Sequence, residues 1–345
     1  MRIGIITLSL HFNYGGILQA YALQVALRNL GHEPINIVKK AVSLREKLRT
    51  FLYEITPYAS FIRQNINTVK DIGFLNYGFI EANDFHALCV GSDQVWRMGG
   101  NDINRYFLDI LGKKKGKIIK FSYAASFDID QWPFNDVVTP KIKRALQDFH
   151  SVSVRETSGI YLCEKYMGLN AIRVLDPTMI IPIENYIKHI SSSPFKTNKK
   201  HAFIYFLDSK SEDNLYCCDQ ILSKMEYELV QGNKNSNVLR KFYFSGGVND
   251  WLAGIYHCEK IVTDSFHGCV FAILFHKDFY VLTNDGGGNS RIETLLRLFN
   301  LEDRLIDKKK KFCSRQPINW NKVDEILDIE RKASIEFLKL SLSND

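Results

Sequence analysis

Residues 2–8, Arg-Ile-Gly-Ile-Ile-Thr-Leu, are mostly apolar and lack the every-second-residue alternation of a strand with one wet face. Such a run predicts a strand buried on both sides, the situation of a parallel sheet covered by helices. From Gly16 onward, Ile17, Ala20, Leu23, Leu27 and Leu30 keep helical spacing up to Gly31, a glycine suited to a helix stop, and Ile35-Asn36-Ile37-Val38 then predicts the next strand. Strand, helix and strand in this order make a βαβ unit. Its first loop, Ser9 to Gly16, leaves the carboxyl end of the first strand, where open α/β sheets place ligands. Asn13-Tyr14-Gly15-Gly16 in that loop is not the G-x-G-x-x-G of a dinucleotide site, so a nicotinamide cofactor is not expected.

The same grammar continues. Phe85 to Val90 and Lys117 to Ser122 predict strands, the first turning sharply at Gly91-Ser92-Asp93-Gln94 and the second emptying into Tyr123-Ala124-Ala125-Ser126. A helix is expected over Thr139 to His150, a short strand over Ser151 to Val154 closed by Arg155-Glu156, and another over Ala171 to Leu175. On local grounds Arg155 and Glu156 read as a surface ion pair or a helix cap. Ile181 to Lys200, with Pro182, Ser191-Ser192-Ser193-Pro194, Lys196, Lys199 and Lys200, has the composition of a connection between domains. The expected organisation is therefore a first Rossmann-like domain over 1–185, a second over 200–320, and a terminal helical segment, 321–345, positioned to cross back to the first.

Composition narrows the class. A chain of 345 residues with 46% hydrophobic and 24% charged residues suits two ordinary folded domains. Met1 to Leu8 mimics a signal h-region, but no small-residue cleavage site follows and the stretch is read as a core strand. Apolar runs such as Val270 to Phe275 fall well short of the ~18 residues a membrane span requires. Seven cysteines, with no C-x-x-C pair, point to a reducing compartment, and the cytoplasm fits. His257, Cys258, His267 and Cys269 lie near one another but not at zinc-cage spacing, so no metal is expected. The net charge of +7 favours anionic partners without choosing among phosphate esters, anionic lipid and nucleic acid.

Lys39 to Lys70 is basic and apolar together: Lys39, Lys40, Arg45, Lys47, Arg49, Arg63 and Lys70 stand against Glu46 and Glu54, interleaved with Phe51, Leu52, Tyr53, Tyr58, Phe61 and Ile62. One reading is a face resting on an anionic membrane. The other, which the pattern favours because neither a long apolar face nor a lysine cluster stands out, is a solvated helix packing its aromatics inward.

The densest signal lies at Ile261-Val262-Thr263-Asp264-Ser265-Phe266-His267-Gly268. A β-branched strand end runs into three residues suited to capping, and Phe266, Cys269, Val270, Ile273 and Leu274 then repeat as one apolar helical stripe. A helix start presents unpaired N–H groups and partial positive charge, so a phosphate or carboxylate is stabilised there, with His267 in the first turn and Gly268 leaving room for its approach. The competing reading makes His267 a cap or crevice filler. For Asp264 the capping role is the expected one.

Asp250-Trp251-Leu252 before that strand, Gly286-Gly287-Gly288-Asn289-Ser290-Arg291-Ile292 after it, and upstream Asn13-Tyr14-Gly15-Gly16-Ile17-Leu18-Gln19, Gly91-Ser92-Asp93-Gln94-Val95-Trp96, Ser122-Tyr123-Ala124-Ala125-Ser126, Ser153-Val154-Arg155-Glu156 and Asp176-Pro177-Thr178 share an order and spacing. This set resembles the polysaccharide pyruvyl transferase family, over roughly residues 3 to 305. The resemblance implies an α/β fold of two Rossmann-like domains facing a cleft, glycosyltransferase-B-like. It also implies transfer of pyruvate from phosphoenolpyruvate onto a sugar diol of a cell-surface polysaccharide precursor as a cyclic ketal.

Carried over by position, His267 contacts the donor phosphate and serves as general acid, and Arg155 holds the donor through its fork of N–H groups. Arg291, with Ser290 beside it, is the candidate for the donor carboxylate, and Ser265 and Gly268 complete the donor set. Asp93 is the candidate base for the first sugar hydroxyl, with Asp264 a competitor. Asn13, Tyr14, Gly15, Gly16 and Gln94 are the candidate acceptor residues. Expected partners are phosphoenolpyruvate as co-substrate, with no further cofactor, and a saccharide acceptor that is lipid-linked or free. Peripheral contact with the inner membrane surface is a further candidate, and no nucleic acid partner is expected. A glycosyltransferase using a nucleotide sugar and a saccharide-binding relative without activity remain as alternatives.

Overall fold

The computed structural model describes residues 1–11, 13–41, 43–71, 75–97, 103–109, 118–193, 200–207, 212–222, 228–231, 242–243, 246–283, 289–310 and 312–343. It divides into two compact units, one formed by Met1–Ile181 with Ile329–Asp345 and the other by Pro182–Asp328.

In the first unit the elements are β1 (Arg2–Ile6), α1 (Tyr14–Asn29), β2 (Glu33–Lys39), α2 (Leu44–Glu54), α3 (Pro57–Asn65), β3 (Thr68–Asp71), α4 (Tyr77–Ala82), β4 (Ala87–Val90), α5 (Ile103–Tyr106), β5 (Ile119–Ser122), α6 (Thr139–Leu146), β6 (Ser153–Val154), α7 (Thr157–Leu162), β7 (Ile172–Arg173) and α8 (Pro177–Ile180). A five-stranded sheet has the order β3-β2-β1-β4-β5, with every pair parallel. Ile3, Ile5, Ile6, Leu88 and Val90 are fully buried, as the unalternated apolar runs require. Gly31 ends α1 at φ +83, a left-handed conformation that a residue with a Cβ adopts at a cost. The strand expected over Ala171 to Leu175 is only two residues long and pairs with β6 in a separate two-stranded sheet. Bridges Phe121↔Ser151 and Ala125↔Val154 attach that sheet to the end of β5.

The second unit contains α9 (Glu184–Ser191), β8 (His201–Tyr205), α10 (Glu212–Leu222), β9 (Glu228–Gln231), β10 (Phe242–Tyr243), α11 (Val248–His257), β11 (Lys260–Thr263), α12 (Phe266–Leu274), β12 (Asp278–Leu282), α13 (Asn289–Leu298) and β13 (Leu305–Ile306). Its six strands are parallel in the order β10-β9-β8-β11-β12-β13, the doubly wound arrangement. The apolar pattern of α12 predicts one core-facing stripe, yet all nine of its residues are buried. Trp251 of α11 and Tyr186 of α9 each meet Phe271 edge-on, at 5.3 and 5.0 Å, so the side of α12 away from the sheet is covered as well.

The last helix, α14 (Trp320–Ser341), is continuous, and its residues from Ile329 onward belong to the first unit. Arg173 pairs with Glu330, Leu175 N–H donates to Ser334 Oγ, Arg331 Nε donates to the Met179 carbonyl, and Phe337 packs on Tyr123. These contacts hold the β7–α8 segment, which carries Asp176, from its outer side. Phe337 is 6% exposed. Replacing it with alanine is expected to destabilise the first unit by about 3 kcal/mol in a denaturant titration.

Candidate active site

In each sheet the chain order reverses beside the first strand, and such a switch point opens a crevice at the carboxyl ends of the two flanking strands. The first unit has its switch between β1 and β4, so the β1–α1 loop and the β4 end, Gly91 to Gln94, share one edge. The second has its switch between β8 and β11, where Leu207 and the Thr263-Asp264-Ser265 turn meet.

At the first edge Asn13 caps α1, its Oδ1 accepting Gly16 N–H at 3.0 Å. A Cβ on Gly16 would lie 3.4 Å from Asp93 Oδ2, so the absent side chain lets the start of α1 approach that carboxylate. Tyr14 is buried against Tyr58, whereas Asn13 is exposed and Gln94 partly so. Asp93 has φ +89, a region sparsely used by non-glycine residues. Its Oδ1 accepts Gln94 N–H at 2.9 Å and stands 3.8 Å from Arg155 Nη2. The structure therefore brings Asp93, Arg155, Asn13, Gly16 and Gln94 to one edge.

On local grounds Arg155 and Glu156 read as a surface ion pair or a helix cap, and the structure buries both, at 4% and 0% exposed. Arg155 Nη1 donates to Asp176 Oδ2 at 2.7 Å, and Ser92 Oγ donates to the same oxygen at 2.9 Å. Asp176 Oδ1 accepts Thr178 N–H and its hydroxyl, so the carboxylate is held on both sides. Glu156 does not cap α7 with its side chain; Oε1 instead accepts from Ser126 Oγ and Phe127 N–H. Burial opposes the charge on Arg155, but Asp176, Asp93 and Glu156 more than offset it, and the net effect raises the guanidinium pKa. The expected donor contact by Arg155 thus falls on a side chain engaged with carboxylates beneath the surface. Asp176, Ser92 and Thr178 were not among the candidates. Asp176-Pro177-Thr178 stood out as a motif, yet nothing local says that its second oxygen reaches a guanidinium 21 residues away.

At the second edge Ser265 caps α12, its Oγ accepting Gly268 N–H at 3.4 Å. The capping role expected for Asp264 is thereby corrected: Asp264 Oδ1 accepts Leu207 N–H at 2.6 Å and ties the end of β8 to the end of β11. His267 lies in the first turn, buried, with its ring edge-on to Phe266 at 5.3 Å. Arg291, in the first turn of α13, lies with Cζ 5.7 Å from the centre of the same ring. The Phe266 ring thus contacts both donor-site candidates, a part the sequence reading did not give it. Ser290 Oγ is buried with no hydrogen-bond partner among the described residues. Gly286, Gly287 and Gly288 lie outside the described residues.

Gly268 serves packing. A Cβ there would sit 2.5 Å from Thr263 Oγ1 and 3.0 Å from its Cγ2, so the glycine seats α12 on β11; the expectation that it clears space for a ligand overlooked this contact.

The profile of the family described as "Polysaccharide pyruvyl transferase" matches residues 13–286. The chain belongs to the polysaccharide pyruvyl transferase family. No curated protein matches the sequence significantly. Among solved structures, the UDP-GlcNAc 2-epimerase from Neisseria meningitidis bound to UDP-GlcNAc is similar over 100% of both chains, with TM-score 0.55 and 10% identity. The glycotransferase of kitacinnamycin is similar over 99% of each chain, with TM-score 0.55 and 9% identity. The UDP-N-acetylglucosamine 2-epimerase from Rickettsia bellii is similar over 100% of this chain and 96% of its own, with TM-score 0.53 and 12% identity. At these identities the likeness shows the fold, that of two-domain glycosyltransferase-B-like proteins with Rossmann-like halves. This pyruvyl transferase relative thus carries its family motifs at the carboxyl edges of both sheets.

Two substitutions test the geometry. Asp176→Asn leaves the Arg155 guanidinium short of a charge partner inside the first unit and is expected to lower stability by about 3 kcal/mol in denaturant unfolding. Gly268→Ala is expected to cost about 1–3 kcal/mol in the second unit by the same measurement, through overpacking against Thr263.

Proposed function

We propose that the protein transfers pyruvate from phosphoenolpyruvate to two hydroxyls of one sugar residue in a cell-surface polysaccharide precursor, forming a cyclic ketal and releasing phosphate. Within the family, the observation that carries this reading is the pairing of His267 and Arg291 across Phe266 at a capped helix start. A donor that bears a phosphate and a carboxylate on one carbon needs a partner for each, and His267 and Arg291 both lie against the Phe266 ring, at 5.3 and 5.7 Å. The α12 N-terminus supplies a field that favours the phosphate.

In this reading His267, as imidazolium, contacts the phosphate and gives its proton to the terminal enol carbon. The adjacent carbon takes on oxocarbenium character, Asp93 removes the proton of the first sugar hydroxyl, and that oxygen bonds to the carbon. The carbon–oxygen bond to phosphate then breaks, the electron pair leaving with the phosphate, and the second hydroxyl closes the ketal while its proton passes to the departing phosphate. Arg291 and Ser290 hold the carboxylate throughout. Asn13, Tyr14, Gly15, Gly16 and Gln94 form the acceptor edge beside Asp93. Arg155 bears on Asp93 as a positioning residue, a part added to its proposed hold on the donor: at 3.8 Å it biases where the carboxylate lies. The first unit then takes the acceptor and the second the donor. The seven cysteines, at non-disulfide spacings, support placing the reaction in the cytoplasm.

The test is the mass of a synthetic lipid-linked glycoside acceptor after incubation with phosphoenolpyruvate and the protein. The expected product is heavier by one pyruvic acid less one water, with one phosphate released per product. His267→Ala and Asp93→Asn are each expected to lower kcat about 100-fold or more. Transfer of a sugar from a nucleotide sugar, with no product from phosphoenolpyruvate, would establish the glycosyltransferase reading instead. No product from either donor, with the saccharide still bound, would indicate a binding relative.

A further inference from the structure

Helix α2 is amphipathic in an unusual sense, because its apolar side faces water. Leu44, Leu48, Phe51 and Leu52, with Ile55 at its C-cap, fall at i, i+4, i+7, i+8 and i+11, a single stripe about 100° wide. Each of the five is between 54% and 83% exposed. Tyr53, half a turn round from Leu44 at about 100° per residue, is the residue that faces inward. It is buried, its hydroxyl donating to the Leu10 carbonyl at 2.7 Å. The aromatics of this region therefore divide: Tyr53, Tyr58 and Phe61 pack inward as the composition favoured, while Phe51 and its aliphatic neighbours do not.

We propose that α2 is an interfacial anchor that lays this stripe into the surface of an anionic lipid bilayer. Arg45 and Lys47 are exposed on the two flanks of the stripe, and Lys39 and Lys40 are exposed just ahead of the helix. The acids of the helix are engaged elsewhere, Glu46 in a capping box with Ser43 and Glu54 with Arg63. An apolar stripe bordered by cations matches hydrocarbon bordered by anionic headgroups. A second copy of the chain would present the same cations to this face, so the charge that favours lipid opposes self-association. Eleven residues span about 17 Å, too short to cross a bilayer, which leaves the helix lying in the interface. Among the described residues no helix is long and apolar enough to cross a membrane.

The anchor is fastened to the acceptor edge. Tyr53 holds the Leu10 carbonyl and meets the His11 ring edge-on at 4.5 Å, while Tyr58 of α3 stacks near Tyr14 at 5.1 Å. Presentation of a lipid-borne saccharide to the β1–α1 loop rests on the acceptor role proposed above; adsorption of α2 to a bilayer does not.

The experiment is co-sedimentation of the full chain, without donor or acceptor, with vesicles of phosphatidylcholine alone and of phosphatidylcholine with phosphatidylglycerol. Binding is expected to the anionic vesicles only and to weaken as salt is raised. Leu48→Ser with Phe51→Ser is expected to lower the partition coefficient at least tenfold. Arg45→Ser with Lys47→Ser is expected to lower it about fivefold for each cation removed. Both double variants should melt at the wild-type temperature, since the replaced side chains are exposed. Absence of binding to anionic vesicles overturns the proposal, as does binding that either double variant leaves unchanged. So does a solution dimer that the Leu48 and Phe51 changes convert to monomer while vesicle binding persists. Loss of ketal formation with vesicle binding intact would count against the proposed activity alone.

Discussion

A guanidinium taken out of water must be accompanied by carboxylates, and Arg155 draws in Asp176, Asp93 and Glu156. These acids come from three places in the chain: the end of β4, the turn after β6, and the segment after β7 that α14 presses inward. Holding them around one cation fixes the carboxyl edge of the first sheet. Asp93 sits with its backbone in a left-handed conformation, an arrangement that persists only where the surroundings over-determine it. Ser92 and Thr178 complete the hold by occupying the remaining positions around Asp176. What is left at the edge is one carboxylate, Asp93, beside the loop that begins α1.

The second unit solves a different problem by different means. There the candidate donor groups sit at the start of a helix buried on every side, so their position depends on packing rather than on charge. Gly268 lets α12 lie directly on Thr263, Asp264 locks the turn to the end of β8, and the Phe266 ring meets both His267 and Arg291.

Much of this was legible in the chain. The unalternated runs at β1, β4 and β11 are strands buried on both faces, and the spacing from Ile17 to Leu30 is a helix stopped at Gly31. The pairing of His267 with the start of α12 followed from the capping residues before it. Less legible was which capping residue would act: Thr263, Asp264 and Ser265 all qualify by type, and only the approach of Leu207 from β8 takes Asp264 out of the contest. The inward or outward sense of α2 was equally hidden, because periodicity shows that apolar residues share a side without showing what that side meets.

By itself, then, the sequence settled the alternation of strands and helices, the parallel sheets that follow from it, and membership of a family through motifs whose order is preserved. These depend on neighbours a few residues apart, where backbone preference and hydrophobic period act directly. The tertiary structure decided that Arg155 is enclosed, that Gly268 is a packing residue, and that Leu44, Leu48 and Phe51 face outward. Each of these depends on atoms brought from distant parts of the chain, and whether a charge is desolvated or an apolar side chain covered is a property of that assembly.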